Sequence, residues 1–329
     1  MLPRISTITS CFHGERYLGR FLANVAEQTA FAQLEVVLAH NEPSAREIEM
    51  VRAFQQQYPG RLQHLIVEPV ESLGASWNRC WREAQGEYVC IWNIDDRRTP
   101  DSIARQCAAL DAHPEAPLVY GDQLLVYTDG SLIGWRERYP AYDREVFTRC
   151  FFLGAFPMWR KALGTKVGYF DEQLRSANDY DFAVRLALRG PLLKIPGILG
   201  YFTDIGLGLS TGNALCAIER TVVELRYGVY DTVDVDFLDA AQQYRIDALQ
   251  FGDAWHPVQA WVPGYADLLA ARAPLHAVME QKLAHGQPAK ARQQADLRLR
   301  KYAKMRLVQL YTLWARLRGR PVAACKESV

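Results

Sequence analysis

The 329-residue sequence has no long hydrophobic run, no excess of charge of either sign and no paired-cysteine motif. A membrane-spanning helix needs about 18–20 consecutive apolar residues, so the sequence predicts no membrane span. The 38 Lys and Arg residues nearly balance the 37 Asp and Glu residues, which argues against a dedicated nucleic-acid-binding protein. The hydrophobic fraction of 49% excludes a mainly disordered chain and indicates a globular protein.

The 7 cysteines show no Cys-x-x-Cys spacing, and no spacing in the sequence assembles three His or Cys ligands for zinc. We interpret the cysteines as small buried hydrophobic side chains in a reducing compartment. The first residues lack the charged and then apolar pattern of a secretion signal. We therefore expect a cytoplasmic protein.

The first 120 residues alternate short apolar segments with amphipathic helical patterns. This alternation predicts a Rossmann-like α/β fold, with a mostly parallel twisted sheet and helices on both faces. Ligands of such sheets bind beyond the carboxyl ends of the strands, which directs attention to the residues after Thr9, Ala39 and Trp92. Strands are predicted at 5–9, 34–39, 65–67, 88–92 and 118–120.

The pattern changes after residue 120. The Asp129-Gly130 pair predicts a hairpin within 121–134, and Asp122 is interpreted as part of it. Apolar residues at helical spacing predict a helix over about 180–189, and 206–212 is a glycine-rich loop. No strand is predicted from about 214 onward, where helical stretches are interrupted by proline and glycine.

Four segments carry recognisable motifs. The first contains Ser10 and His13 after the opening strand, and the second runs from Asn78 to Asn93-Ile94-Asp95-Asp96. The third covers 100–122, and the fourth runs from 167 through Asn178-Asp179 to 186. In this order and spacing they resemble the family 2 glycosyltransferases of GT-A fold over roughly residues 4–212.

The resemblance implies a GT-A domain at 1–213, with a nucleotide-sugar half at about 1–120 and an acceptor half at 121–213. A helical C-terminal region, 214–329, is expected to follow. The implied activity is that of an inverting glycosyltransferase. It would move a sugar from a nucleotide-diphosphate sugar to a hydroxyl of a saccharide or lipid-linked glycan. Such a reaction needs neutralisation of the leaving diphosphate, a general base and aligned substrates.

The motifs also suggest roles for individual residues. Asp95, helped by Asn93 or Asp96, is the expected ligand of Mg²⁺ or Mn²⁺, because hard cations prefer oxygen ligands. Asp179, at a helix start, is the expected general base. The expected donor-binding residues are Ser10, His13, His40, Asn41, Asn78, Asn93 and Asp95.

Several positions depart from the family pattern and keep alternatives open. Asn93 and Asn178 stand where acids are usual, and His40-Asn41 replaces an acidic pair that contacts the nucleotide. A non-catalytic GT-A protein that binds a nucleotide sugar or a glycan is therefore the alternative.

Each acidic candidate also has a structural interpretation. Asp96 and Asp179 fit helix caps, and Asp181 fits charge compensation in the first helical turn. A nucleotidyltransferase is disfavoured, because segment 10–16 offers one glycine and one arginine as a phosphate loop.

The segment 289–319 is a basic amphipathic helix by its pattern. One interpretation places it on the anionic surface of the inner membrane, with Trp314 and leucines dipping in. The other packs its apolar face on the catalytic domain or a second subunit. Nucleic acid is not an expected partner, since no aromatic stacking platform is apparent.

Overall fold

The computed structural model describes residues 2–127, 130–144, 147, 151–204, 219 and 223, together with the backbone of 248–251 and 254–257. Strands and helices alternate through the first half, as predicted. The strands are β1 (Ile5–Phe12), β2 (Leu34–Asn41), β3 (Leu62–Val67), β4 (Tyr88–Ile91), β5 (Arg97–Arg98), β6 (Leu118–Val126), β7 (Trp135–Glu137), β8 (Met158–Arg160), β9 (Leu193–Thr203), β10 (Ala248–Phe251) and β11 (Ala254–Pro257). The helices are α1 (Glu15–Ala26), α2 (Ala45–Gln57), α3 (Leu73–Glu83), α4 (Ser102–Ala112), α5 (Leu163–Val167) and α6 (Asn178–Ala187), with a 3₁₀ turn at Phe31–Gln33.

The main sheet has the strand order β3-β2-β1-β4-β8-β6-β9-β5, and β7 pairs with β6. The segment β3-β2-β1-β4 is parallel, as the sequence predicts. Beyond β4 the sheet is mixed, because β8 lies antiparallel between β4 and β6. Strand β9 restores the parallel direction beside β6.

Helices cover both faces of the sheet, which confirms the predicted layer arrangement. All eight residues of β2 are buried, as expected of a strand covered on both sides. Val36 and Leu38 belong to one apolar core with α1, α2 and α4, whereas Val37 and Ala39 belong to the other core with α3 and α6. That second core includes an aromatic cluster whose ring centroids lie 5.1–5.8 Å apart, formed by Trp81, Trp159, Phe170 and Phe182.

The predicted hairpin within 121–134 is only partly observed, because β6 supplies its first strand but the antiparallel partner β7 begins at Trp135, beyond the predicted bounds. Asp122 belongs to it, with its carboxylate 2.9 Å from Arg136 and 3.0 Å from Lys194. The predicted helix over 180–189 is α6, which begins two residues earlier.

The prediction that no strand follows residue 214 is wrong. Strands β10 and β11 form an antiparallel pair in which Phe251 faces Ala254, leaving two residues between the strands. Those two residues are Gly252 and Asp253, a pair common in tight hairpin turns. The sequence therefore contains a hairpin signal, but the surrounding residues have a composition typical of helices.

Two predicted features lie outside the described residues, namely the loop 206–212 and the basic helix 289–319. Within the described ranges, no helix is long and apolar enough to cross a membrane.

Candidate active site

The carboxyl ends of several strands meet at one edge of the sheet. β1, β2 and β4 run in one direction, and β6 and β9 share it, since both β4 and β6 are antiparallel to β8. Helices α1 and α3 begin at this edge, because they follow β1 and β3. Ligands of α/β sheets bind at such an edge.

An acidic turn, residues 93–96, follows β4 at this edge. The Asp96 backbone N–H donates to the Asn93 carbonyl at 3.2 Å. Asp96 is only 2% exposed, and its Oδ1 accepts a hydrogen bond from the Thr203 N–H at 2.9 Å. Burial, with the neighbouring Asp95, raises the pKa of Asp96 well above its ordinary value. Asp96 therefore braces the turn against β9.

Asp95 and Asn93 are the more accessible members of the acidic turn, since both side chains are half-buried. The Asp95 backbone carbonyl accepts hydrogen bonds from Thr203 Oγ1 at 2.8 Å and Arg20 Nη2 at 3.5 Å. These bonds fix the backbone that carries the Asp95 carboxylate. A carboxylate beside an amide oxygen is a hard donor set, so the turn fits Mg²⁺ or Mn²⁺ through Asp95 and Asn93.

Asp179 lies in the first turn of α6 and is half-buried. Its Oδ1 accepts a hydrogen bond from the Tyr180 N–H at 2.8 Å, and its own N–H donates to Asn178 Oδ1 at 2.9 Å. A carboxylate at a helix N-terminus is stabilised by the exposed N–H groups and the helix dipole. The hydrogen bond from Tyr180 holds the Asp179 carboxylate at the helix start.

The start of α6 packs on the start of α3. Gly74 has no side chain, and a Cβ there would lie 2.7 Å from Asn178 Nδ2. Two residues further on, Ser76 Oγ accepts a hydrogen bond from Asn41 Nδ2 at 3.0 Å, at the carboxyl end of β2. This series of contacts places Asp179 at the same sheet edge as the acidic turn.

Asp181 is buried and forms an ion pair with Arg185, at 2.8 Å to Nη2. Arg185 also donates to the carbonyls of Val167, Gly168 and Tyr169. Asp181 therefore holds the segment before α6 in place, a larger structural role than the expected compensation of the helix dipole.

Two of the expected donor-binding residues, Asn41 and Asn78, are almost fully buried, and each is only 1% exposed. Asn41 accepts a hydrogen bond from the Glu71 N–H at 2.9 Å, and its Nδ2 lies 3.5 Å from Ser10 Oγ. Asn78 pairs with both backbone groups of Phe170 at 2.9 Å and with Glu172 at 2.8 Å. Both asparagines thus connect elements beneath the edge.

The two histidines in the donor set lie in contrasting places. His13 is exposed, with a left-handed φ of 50°, and its ring stands 3.9 Å from the ring of Phe12. His40 is 0% exposed, and its Nδ1 lies 3.0 Å from His64 Nε2. The structure brings His13 to the surface of the edge and His40 beneath it.

Sequence reasoning missed three contributors to this edge. Thr203 makes two hydrogen bonds to the acidic turn, Arg20 makes one, and Phe12 exposes 47% of its surface at the end of β1. An exposed aromatic residue directly after a buried strand was the available signal for Phe12. No sequence signal pointed to Thr203, because it lies more than 100 residues from the acidic turn.

A parallel β3-β2-β1-β4 half with an acidic turn after β4, joined to a mixed second half, defines a GT-A fold. The family model described as glycosyl transferase family 2 matches residues 6–174. The chain belongs to that family.

Curated relatives agree with this assignment at low identity. The chain is 22% identical to chondroitin synthase of Pasteurella multocida (strain Pm70) over 250 residues, which cover 74% of this chain and 26% of that protein. It is 23% identical to chondroitin synthase of Escherichia coli over 195 residues, covering 59% of this chain and 28% of that protein. The chain thus spans about a quarter of the length of these relatives.

Solved structures share the fold. TarS 1–349 of S. aureus in complex with UDP-GlcNAc superposes with a TM-score of 0.55 at 18% identity, covering 73% of each chain. The mannosyltransferase PcManGT from Pyrobaculum calidifontis, in complex with GDP-Man and Mn²⁺, gives a TM-score of 0.55 at 17% identity. That match covers 95% of this chain and 88% of the other.

Proposed function

We propose that this protein is an inverting, cation-dependent glycosyltransferase. It would transfer a sugar from a nucleotide-diphosphate donor to a hydroxyl of a saccharide or lipid-linked glycan. Membership of glycosyl transferase family 2 supports the reaction class. Structural neighbours that bind UDP-GlcNAc or GDP-Man with Mn²⁺ support the donor class and the cation.

One observation carries the proposal: the Asn93–Asp96 turn and the Asp179 helix start occupy the same edge of the sheet. The first follows β4, and the second is connected through Gly74 and Ser76 to the end of β2. In the strand order, β1 alone separates β2 from β4. Neighbouring strands lie about 4.8 Å apart, so one nucleotide sugar can reach the ends of both β2 and β4.

Asp179 acts as the general base in this proposal. Its carboxylate accepts the proton of the acceptor hydroxyl while the hydroxyl oxygen attacks the anomeric carbon. The bond from that carbon to the diphosphate oxygen breaks, and the nucleotide diphosphate leaves with the bonding electrons. Attack opposite to the leaving group inverts the anomeric centre.

Asp95 and Asn93 hold the donor end of the reaction. They would hold Mg²⁺ or Mn²⁺, whose positive charge would neutralise the leaving diphosphate. Ser10 and His13 are assigned contact with the nucleotide, whereas the buried His40, Asn41 and Asn78 support the strand ends beneath it. Asp96 restrains the turn through Thr203 and is not assigned direct contact with the cation.

The experiment is a transfer assay on the full chain with a panel of nucleotide sugars, Mn²⁺ and saccharide acceptors, scored by release of nucleotide diphosphate. Asp179→Asn should lower turnover by about 10²–10⁴-fold, the usual contribution of a general base. Asp95→Asn and EDTA should each suppress turnover, and Mn²⁺ should restore the EDTA-treated wild type.

Asp101→Asn is the matched control, since the Asp101 side chain is 55% exposed at the start of α4 and lies outside the proposed site. It should leave turnover unchanged. Unaltered turnover in Asp179→Asn would exclude the proposed base. Donor binding by the wild type without hydrolysis or transfer would instead establish the non-catalytic alternative.

A further inference from the structure

A second group of potential ligands lies beneath the nucleotide half of the edge. Cys11 and His40 face each other in the register of β1 and β2, and Glu47 comes from the first turn of α2. Cys11 and His40 are 0% exposed and Glu47 is 2% exposed. One ligand atom from each side chain lies within 4.8 Å of the other two. We call these three residues the Cys11 cluster.

Hydrogen bonding leaves one atom of this cluster unpaired. His40 Nδ1 is 3.0 Å from His64 Nε2, so one ring donates to the other. His40 Nε2 is buried without a hydrogen-bond partner, and Glu47 Oε1 is 3.7 Å away, too far for a hydrogen bond. An unpaired buried polar atom is unfavourable and needs an explanation.

When His40 donates its Nδ1–H to His64, its Nε2 presents a lone pair toward the Glu47 carboxylate. Two acceptors then face each other at 3.7 Å, close to the Cys11 sulfur, which is 4.0 Å from Glu47 Oε1. In this tautomer of His40, a cation between these atoms relieves the conflict and pairs the unsatisfied nitrogen.

We propose that the Cys11 cluster binds a zinc ion through Cys11 Sγ, His40 Nε2 and Glu47 Oε1. Tetrahedral zinc with ordinary bond lengths separates sulfur from oxygen by roughly 3.6 Å and nitrogen from oxygen by roughly 3.4 Å. The observed 4.0 and 3.7 Å exceed these values by a few tenths of an ångström. Two of the three ligand separations therefore need only a small side-chain adjustment, and the third, from Cys11 to His40, is within 4.8 Å.

The donor set selects the metal. A thiolate with an imidazole prefers zinc to Mg²⁺ or Mn²⁺, whose preferred ligands are oxygens. Binding forms a sulfur–zinc bond and releases the Cys11 thiol proton to solvent. Three protein ligands leave a fourth position for water, as is common in zinc sites.

Hydrogen bonds that would hold the zinc-binding side chains of His40 and Glu47 in place are already present. His64 orients the His40 ring, as second partners of metal-binding histidines commonly do. Glu47 Oε1 accepts from the Gly14 N–H at 2.6 Å, and Oε2 accepts from the Ser44 N–H at 2.8 Å. Each carboxylate oxygen has a further lone pair, so Oε1 can bind a metal without losing its hydrogen bond.

The zinc proposal does not rest on the proposed transferase activity. The site joins β1, β2 and the start of α2, next to Ser10 and Asn41. Gly14 lies between it and the Asn93–Asp96 turn, since a Cβ at Gly14 would meet both Cys11 Sγ and Ile94 Cδ1. A zinc ion here stabilises the nucleotide half of the sheet, whatever the protein transfers.

The test combines metal analysis with cobalt substitution of the full chain. Protein prepared with zinc should retain about one ion per chain after dialysis. Replacement by Co²⁺ should give a thiolate-to-cobalt charge-transfer band, which an oxygen-only site cannot produce. Cys11→Ser should remove the band and lower zinc retention at least about tenfold.

Cys90→Ser is the matched control, because Cys90 is equally buried but lies beside the Arg98 guanidinium, an unfavourable neighbour for a cation. It should keep both zinc and the band, as should Asp95→Asn. X-ray absorption of the zinc-loaded wild type is the check that needs no variant, and it should show one sulfur at about 2.3 Å. Absence of a sulfur ligand in the wild type, or a band retained in Cys11→Ser, overturns the proposal.

Discussion

At the scale of single residues, Asp122 in β6 is a buried carboxylate held by two cations. Lys194 Nζ lies 3.0 Å and Arg136 Nη2 lies 2.9 Å from its oxygens, and the Tyr139 N–H donates to it at 3.2 Å. Burial alone raises the pKa of a carboxyl group. Here the hydrogen bonds from Lys194 and Arg136 outweigh it, so the pKa of Asp122 is below its ordinary value of 3.8.

This lowered pKa predicts how the stability contribution of Asp122 depends on pH. The contribution is present above the unfolded pKa, near 4, and is lost as the pH falls through the lower folded pKa. Asp122→Asn should therefore lower the free energy of unfolding by about 1–3 kcal/mol at pH 7, and by less near pH 3. Urea unfolding of the wild type and the variant at both values measures this difference.

Asp101→Asn is the control here as well, since an exposed pair contributes at most about 1 kcal/mol. An Asp122→Asn effect of equal size at pH 7 and pH 3 would show that packing, and not the carboxylate charge, accounts for the stability.

Individual site residues differ in how far their position could be predicted. The sequence points to Asp95 and Asp179 because they end recognisable motifs and lie next to strand or helix boundaries, and their roles stay predictions. The burial of His40, Asn41 and Asn78 was not predicted, since hydrogen bonds to Glu71 and Phe170 come from distant parts of the chain. The Cys11 cluster could not be found by spacing, because its ligands come from three separate elements.

At the scale of elements, the entry into α6 depends on one buried carboxylate. Glu219 is 1% exposed and accepts hydrogen bonds from three consecutive backbone N–H groups, at 2.8 Å from Arg175, 2.7 Å from Ser176 and 2.9 Å from Ala177. These groups directly precede the helix that carries Asp179, so Glu219 positions the proposed base without touching substrate.

Replacing Glu219 by alanine should release those three amides. Hydrogen bonds to a charged group contribute about 1.5–3 kcal/mol, so local opening should become roughly ten- to a hundredfold more frequent. Hydrogen exchange followed by mass spectrometry should show faster exchange at 175–177 in Glu219→Ala.

Glu115→Ala is the comparison variant, because the Glu115 side chain is 61% exposed and its ion pair is with His113, remote in sequence from α6. Exchange at 175–177 should match the wild type in that variant. Unchanged exchange in Glu219→Ala would show that the amides are protected by packing and not by the carboxylate.

Prediction of elements succeeded where local pattern and burial agree. β1, β2 and β4 are short, apolar and β-branched, and each lies within two or three residues of its predicted bounds. β9 was not predicted, because Pro196, Gly197 and Gly200 interrupt its sequence. It forms nevertheless, since β6 accommodates it with register shifts around Asp122 and Gly197 adopts a φ of 85°. Tertiary pairing overrides local propensity there.

At the scale of the whole molecule, donor and cation binding should stabilise the folded state by mass action. A nucleotide sugar at 100 times its dissociation constant adds about 2.7 kcal/mol. For a domain of about 200 residues this raises the melting temperature by roughly 5–10 °C. A thermal-shift screen of nucleotide sugars with Mn²⁺ should therefore contain at least one such ligand.

The shift should require the acidic turn. Asp95→Asn should reduce the Mn²⁺-dependent part of the shift, while Mn²⁺ without nucleotide sets the baseline for both proteins. A panel in which no nucleotide sugar changes the melting temperature would contradict the proposed donor class.

The fold of the part of the chain that the structure describes was predictable in class and in layer order, because alternating β and α segments admit few arrangements. The position of the antiparallel strand β8 between β4 and β6 could not be predicted, since its three residues carry little periodic signal. The β10–β11 hairpin was not predicted either, because its Gly-Asp pair lies in a segment with helical composition.

The two bonds from Thr203 have a consequence for biosynthesis. A nascent chain that has emerged only as far as residue 190 already contains the Asn93–Asp96 turn and Asp179, but it lacks the strand that holds the turn in place. The cation affinity proposed for that turn should thus be acquired late, when β9 docks beside β6, and a fragment ending at residue 174, where the family match ends, should not possess it.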